Sequence, residues 1–152
     1  MKIKIGLHAV TDFEAYHISE HRFSVGDEFD TSYIDRDFQD GDKFYIESLA
    51  EKTRLCIERP HKIKLPSRNT CLFVCDKEHV KLWYSHMDKH RVYNPNVIYK
   101  VRLSGILFVT YSDYLRQDKY WRPNENLAPQ EKEGLFEGLF RIVEACSIDD
   151  FK

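Results

Sequence analysis

Asn96-Val97-Ile98-Tyr99-Lys100-Val101-Arg102-Leu103-Ser104-Gly105-Ile106-Leu107-Phe108-Val109-Thr110 is the stretch that decides the fold. From Asn96 to Leu103 it alternates, with Val97, Tyr99, Val101 and Leu103 on one side. A period of two belongs to a strand with one buried face. Gly105 permits a turn or bulge, and Ile106 to Thr110 continues as strand. Working outward, Lys2 to Val10 sets Ile3, Ile5, Leu7 and Ala9 against polar partners and predicts another strand. A short strand fits Ala15 to Ile18 and runs into a turn over Ser24 to Phe29. Thr70 to Cys75 reads as a buried strand after the turn Pro66-Ser67-Arg68-Asn69, and Leu139 to Cys146 as the last strand.

Helical spacing occupies the gaps. Ile46, Leu49, Ala50, Thr53 and Ile57 share one face of a helix over Phe44 to Glu58, which Pro60 ends. Asp76 is placed to cap a second helix, because its carboxylate can accept from the free N–H groups of the first turn. In that helix Val80, Trp83, Tyr84 and Met87 recur at helical intervals. Tyr111 to Trp121 predicts a short third helix. Asp30 to Asp42 and Pro123 to Pro129 read as loops. This order predicts a single α+β domain over residues 1–152, with a mainly antiparallel sheet and two or three helices.

Composition narrows the function classes. The chain has 152 residues, a single-domain length. Hydrophobic residues make up 42% and aromatics 14%, enough for one packed core. The formal net charge of −2 lacks the basic excess of a dedicated duplex-binding protein. Cys56, Cys71, Cys75 and Cys146 form no CxxC pair, so neither a zinc ribbon nor a thioredoxin motif is indicated. No apolar run reaches bilayer length, and the start has no leader pattern. The expected setting is the cytosol with reduced thiols, and a protein exported by a signal-independent machine would look the same.

Few residues suggest chemistry by themselves. His79, His86 and His90 fall in and after the second helix, but no Glu follows His86. An exposed polar helix end is the expectation there, with no metal. His17 follows Tyr16 in a strand, where a ring nitrogen can bond a ribose or an amide. Glu131 and Glu133 are two apart and would point the same way on extended backbone. Carboxylates so placed can stabilise an oxocarbenium cation, as in glycosyl transfer. The six glycines are scattered and make no dinucleotide fingerprint, so any bound NAD does not sit on a Rossmann loop.

Taken in order, three segments resemble the ADP-ribosyltransferase-like superfamily, notably its small bacterial members such as the rifampin ADP-ribosyltransferases. The first is Tyr16-His17-Ile18-Ser19 followed by Val25-Gly26-Asp27. The second runs from Arg68 through Leu72-Phe73-Val74 to Trp83-Tyr84, then Ile98 to Val101 and Gly105. The third is Glu131-Lys132-Glu133-Gly134-Leu135 with Phe140-Arg141-Ile142-Val143, and Tyr120-Trp121 precedes it. The resemblance covers most of the chain from Tyr16 onward and rests on order and spacing.

The resemblance implies split antiparallel sheets flanked by helices, with NAD bound in the cleft between them. By position, His17 and its neighbour Tyr16 would hold the nicotinamide ribose, and Phe73 or Tyr84 would stack on nicotinamide. Arg68 would pair with the pyrophosphate, and Glu133 would be the acid, ahead of Asp113 and Glu131. The family's usual tyrosine is Phe73 here, which keeps stacking and loses a hydroxyl. The activity implied is transfer of ADP-ribose to a macromolecular acceptor, a protein for choice, by a toxin, effector or phage-conflict protein acting in a cytosol. NAD hydrolysis, an RNA 2′-phosphotransferase and a non-catalytic module of the same fold are the rivals. Glu133→Gln is expected to abolish activity and leave the thermal midpoint nearly unchanged.

Overall fold

The computed structural model describes residues 3–34, 45–61, 64–88, 95–115, 117–123 and 131–152. Most of the two predicted long loops, and His90, lie outside these residues. The strands are β1 (Gly6–Ser19), β2 (Glu28–Asp30), β3 (Leu72–Val74), β4 (Val97–Tyr111) and β5 (Lys132–Cys146). The helices are α1 (Tyr45–His61) and α2 (Val80–Asp88). All strand pairs are antiparallel in one sheet ordered β1-β4-β5-β2, with β3 also on β5. The α+β expectation holds at this level.

The decisive stretch is the centre of the sheet. β4 pairs with β1 from Gly6↔Val109 to Ser19↔Val97 and with β5 from Ile98↔Cys146 to Tyr111↔Lys132. Tyr99, Val101 and Leu103 point into the main core with Leu72, Val74, Phe136 and Phe140. Beyond Gly105 the alternation ends, and Leu107 to Tyr111 are all buried. There Phe108 meets Ala50 and Ile57 of α1, so both faces of the sheet are covered.

Gly105 makes no turn. It sits inside β4 opposite Gly138 of β5, and both have positive φ, +156° and +145°. A Cβ on Gly138 would lie 2.5 Å from the Ser104 carbonyl oxygen and 2.9 Å from the Gly105 Cα. Two bare residues on one rung let both long strands bend together.

The two strands predicted before residue 19 are one, β1, with a register shift between Val10 and Phe13. Asp12 takes φ +49° there, which a short polar side chain tolerates. Its amide donates to Ser104 Oγ at 3.0 Å, replacing a ladder bond. The bulge hides the continuity of the strand from a period-two reading.

Other departures have local causes. α1 runs to His61, one residue past Pro60, so the proline stands in its last turn, where its fixed helical φ fits and little helix follows to be disrupted. The third predicted helix is two 3₁₀ turns, Ser112–Tyr114 and Asp118–Tyr120. Ser112 Oγ donates to Glu131 Oε2, and Asp113 Oδ1 accepts from the Glu131 amide, which holds this segment to the start of β5. β5 itself begins seven residues before the predicted Leu139, at Lys132.

β3 closes the sheet. It bonds β5 along Leu72–Val74, and the next residue, Cys75, bridges Tyr16 of β1. The Tyr16 amide donates to the Cys75 carbonyl at 3.0 Å, and the Cys75 amide returns a bond at 2.9 Å. The path β1-β4-β5-β3 thereby returns to β1.

Asp76 caps the turn that leads into α2, as the sequence predicts. Oδ1 accepts from the His79 amide at 3.1 Å and from His79 Nδ1 at 2.6 Å, and Lys132 Nζ lies 3.5 Å from Oδ2. Burial alone would raise its pKa, but His79 and Lys132 together outweigh burial and lower it. A carboxyl with a lowered folded pKa stabilises the fold above the unfolded value, about pH 4, and loses that stability as pH falls through the folded value. Asp76→Asn should therefore flatten the acid limb of a stability–pH curve measured by urea unfolding, and leave no matching change in the alkaline limb. Gly138→Ala should cost about 2–4 kcal/mol in the same assay, since it adds overpacking to a backbone angle that L-residues avoid.

Candidate functional site

A cavity of about 720 Å³ opens between β1, β3, the start of β5 and α2. That is within the usual range for small-molecule sites. His17, Phe23, Arg68, Phe73, Trp83 and Glu133 contribute to its wall.

His17 is fixed by the sheet closure. Because Cys75 bridges Tyr16, the neighbouring His17 ring reaches β3, and Nδ1 lies 2.7 Å from the Phe73 carbonyl oxygen. A carbonyl only accepts, so Nδ1 carries the proton and donates. In the neutral ring Nε2 is then the acceptor nitrogen. Phe23 sets its edge against this ring at 6.2 Å. Tyr16 also forms part of the cavity wall, but its ring packs with Ile18, Cys75, Val80 and Ile98 and meets Phe151 edge-on at 5.2 Å. Adjacent strand residues face opposite ways, so Tyr16 and His17 do not act as one pair of side chains.

Arg68 sits on the turn before β3, and α1 holds it there. Glu51 Oε1 accepts from the Arg68 amide at 2.9 Å. Arg54 bonds both Glu51 and Glu58, and Glu58 accepts from the Leu65 amide at 2.6 Å. The Arg68 side chain turns inward. Its Nη1 donates to Glu133 Oε1 at 2.6 Å and to the Tyr120 hydroxyl at 2.5 Å. Its Cζ lies 4.7 Å from the Phe73 ring centroid and 5.5 Å from that of Tyr120.

Glu133 is 7% exposed and stands near the start of β5, opposite Thr110. The Tyr120 hydroxyl also donates to Oε1, at 2.5 Å, so Arg68 and Tyr120 meet on the same oxygen. Oε2 takes neither bond. Burial raises the Tyr120 phenol well above its ordinary pKa; Arg68 opposes this and Glu133 adds to it. The phenol therefore stays a donor over the working pH range.

The sequence candidates divide clearly. Tyr16, His17, Arg68, Phe73 and Glu133 line the same cavity. Tyr84 does not, and packs instead beside Tyr16 and Val80. Trp83 and Met87, one turn apart on α2, are the helix residues in the wall. Trp83 Nε1 donates to the Lys132 carbonyl at 2.8 Å and so ties α2 to the residue before Glu133. Glu131 does not pair with Glu133. It precedes β5, where strand alternation does not reach, and its carboxylate meets His86 at 3.2 Å and Ser112 at 2.8 Å. Asp113 is bound to the Glu131 amide and lies outside the cavity wall. Tyr120 and Trp83 are among the members that sequence reasoning assigned no part. The aromatic pair Tyr120-Trp121 in a polar stretch was the available signal for the first.

His79 and His86 bond different carboxylates, Asp76 and Glu131. Among the described residues no three His, Cys, Asp or Glu are grouped to hold a metal. No disulfide joins the four cysteines. No described helix is long and apolar enough to cross a membrane.

The buried ion pair corrects the expectation for Glu133→Gln. Removing one member of a buried pair strands the other charge and costs about 3–5 kcal/mol, whereas replacing both with apolar groups is often neutral. Glu133→Gln and Arg68→Met should each lower stability by an amount in that range. The double variant Arg68→Met/Glu133→Leu should fall well short of their sum in a denaturant double-mutant cycle.

No curated protein matches the chain. Residues 7–150, which run from β1 into the last turn, match the family described as protein of unknown function (DUF2441). The match spans nearly the whole chain, and the protein belongs to that family.

Proposed function

We propose that the cavity binds NAD and that the protein transfers ADP-ribose from it to a macromolecular acceptor, a protein for choice. The observation that supports this reading is the gathering of His17, Arg68, Phe73 and Glu133, drawn from three separate segments, in one cavity. In this reading the closed and bent sheet corresponds to the split-sheet arrangement of ADP-ribosyltransferase-like folds. A wall of aromatic rings with a few fixed polar groups suits a ligand that is part heteroaromatic and part sugar.

The chemistry assigned to each residue follows from its environment. Phe73 offers a ring in the cavity wall for nicotinamide, and Arg68 lies over that ring at 4.7 Å. His17 is a hydrogen-bonding group for the carboxamide or the ribose. Glu133 accepts from a ribose hydroxyl and stabilises the positive charge that develops on the ribose as the glycosidic bond breaks. Nicotinamide leaves with the bonding electrons, and the acceptor attacks the anomeric carbon. A negative group held in a water-poor pocket is effective here because it needs no reorganisation. Arg68 serves this reading by holding the Glu133 carboxylate through Nη1, and its guanidinium is the group proposed to pair with the pyrophosphate. The activity is proposed to operate in a cytosol, as a toxin, effector or phage-conflict protein would.

The ion pair favours a second reading. A carboxylate bonded by Arg68 and Tyr120 can also be a structural element of a non-catalytic binding module. Incubation with labelled NAD and cell lysate separates the two. Label on a macromolecule supports transfer, and free ADP-ribose supports hydrolysis. Intact NAD together with no NAD binding by calorimetry would sink both enzyme readings. Where activity is found, Glu133→Gln should lower it at least 100-fold, read at a temperature where that variant's unfolding curve shows it folded.

A further inference from the structure

We infer that Tyr120 is a positioning residue of this site: with Arg68 it pins Oε1 of Glu133 and so leaves Oε2 as the oxygen that meets a ligand hydroxyl. The inference rests on the NAD reading above and goes beyond it by naming which oxygen binds and what selects it.

The terminal torsion of a glutamate is soft and nearly two-fold, so an unheld carboxylate presents either oxygen. Here two donors converge on one of them, at 2.6 Å from Arg68 and 2.5 Å from Tyr120. Charge-assisted bonds of this kind are the stronger class, and their convergence removes the symmetry of the group. Arg68 alone would not do so, because a guanidinium fork can bond both oxygens of a carboxylate. The phenol fills the place beside Oε1, and its own oxygen accepts from Arg68 Nη1 at 2.5 Å.

Tyr120 is built to hold still. It is 0% exposed. Thr110 Oγ1 donates to its carbonyl at 2.5 Å, and Thr110 is the residue opposite Glu133 on the β4–β5 ladder. The next residue, Trp121, donates Nε1 to the Ala50 carbonyl of α1 at 2.9 Å and stacks on Phe108 at 5.6 Å. The phenol is therefore referenced to the same rung that carries the carboxylate it orients.

The test uses the full chain and two probes, NAD and the NAD analogue lacking the 2′-hydroxyl of the nicotinamide ribose, titrated by calorimetry. The wild type should bind NAD about tenfold more tightly than the analogue, the worth of one hydrogen bond to a charged group. In Tyr120→Phe this ratio should fall to within about twofold, with analogue affinity unchanged. A merely structural tyrosine would weaken both ligands alike and preserve the ratio, which would overturn the inference. Equal binding of both ligands by the wild type would also overturn it, while leaving the NAD reading intact. Binding of neither would remove the NAD reading and the inference together. Should Tyr120→Phe prove unfolded in its thermal curve, Thr110→Val decides. It frees the Tyr120 carbonyl, and the ratio should drop at least about threefold; an unchanged ratio counts against the inference.

Discussion

Two backbone hydrogen bonds between Tyr16 and Cys75 govern the architecture. They join β3, which already pairs with β5, to the far edge of the sheet at β1. Without them β3 would be a three-residue flap on one strand. With them the sheet returns to its starting edge, and His17 is carried to within a hydrogen bond of Phe73. The same closure leaves a space between β3, β1 and α2, and that space is the cavity. The paired glycines of β4 and β5 stand on one rung of this sheet, where neither strand carries a Cβ to keep the other away.

Into this frame the chain places a buried charge pair, which is costly unless every bonding position is met. The fold meets the cost by layering. α1 holds the Arg68 backbone through Glu51, the Arg68 side chain lies between two aromatic rings, and Tyr120 bonds both charged groups. On the other side Trp83 grips the carbonyl of Lys132, one residue before the acid. Glu133 is thus reached from both helices and from the chain between β4 and β5. Such agreement of separate elements on one polar group is expected where its orientation matters, and it is also what a stable buried pair needs.

The sequence made much of this legible, for stated reasons. Alternation exposed the first half of β4, and helical spacing exposed α2 and the covered face of α1. The cap at Asp76 was readable because short-range chemistry settles it. What stayed hidden was whatever depends on distant partners. The bulge at Asp12 breaks the period of β1, and only Ser104, far along the chain, explains why the strand survives it. Gly105 reads as a turn or bulge because its partner Gly138 is invisible locally. The start of β5 carries Lys132, half-buried, and Glu133, buried, polar residues covered by tertiary contacts that no period reports. Tyr84 is the helix aromatic that the resemblance implies, and the direction in which α2 docks makes its neighbour Trp83 the cavity residue instead. For the same reason Glu133 could be separated from Glu131 and Asp113 only once their bonding partners were known.

The pairing order of the sheet also bears on how the chain becomes folded. Apart from the Tyr16–Cys75 bridge, β1 among the described residues finds its ladder partner in β4, with Gly6 against Val109 and Ser19 against Val97. During synthesis the first strand emerges long before the residues that will cover its edge, and β4 in turn awaits β5 for its other side. Pairings this remote in sequence close large loops before they gain contact energy, and they fold slowly. An early, unpaired, fourteen-residue strand is a template for unwanted partners. Asp12, with its left-handed backbone in the middle of that strand, interrupts the flat edge a second chain would need, so the kink that obscures β1 in the sequence also blunts the outer edge of the folded sheet.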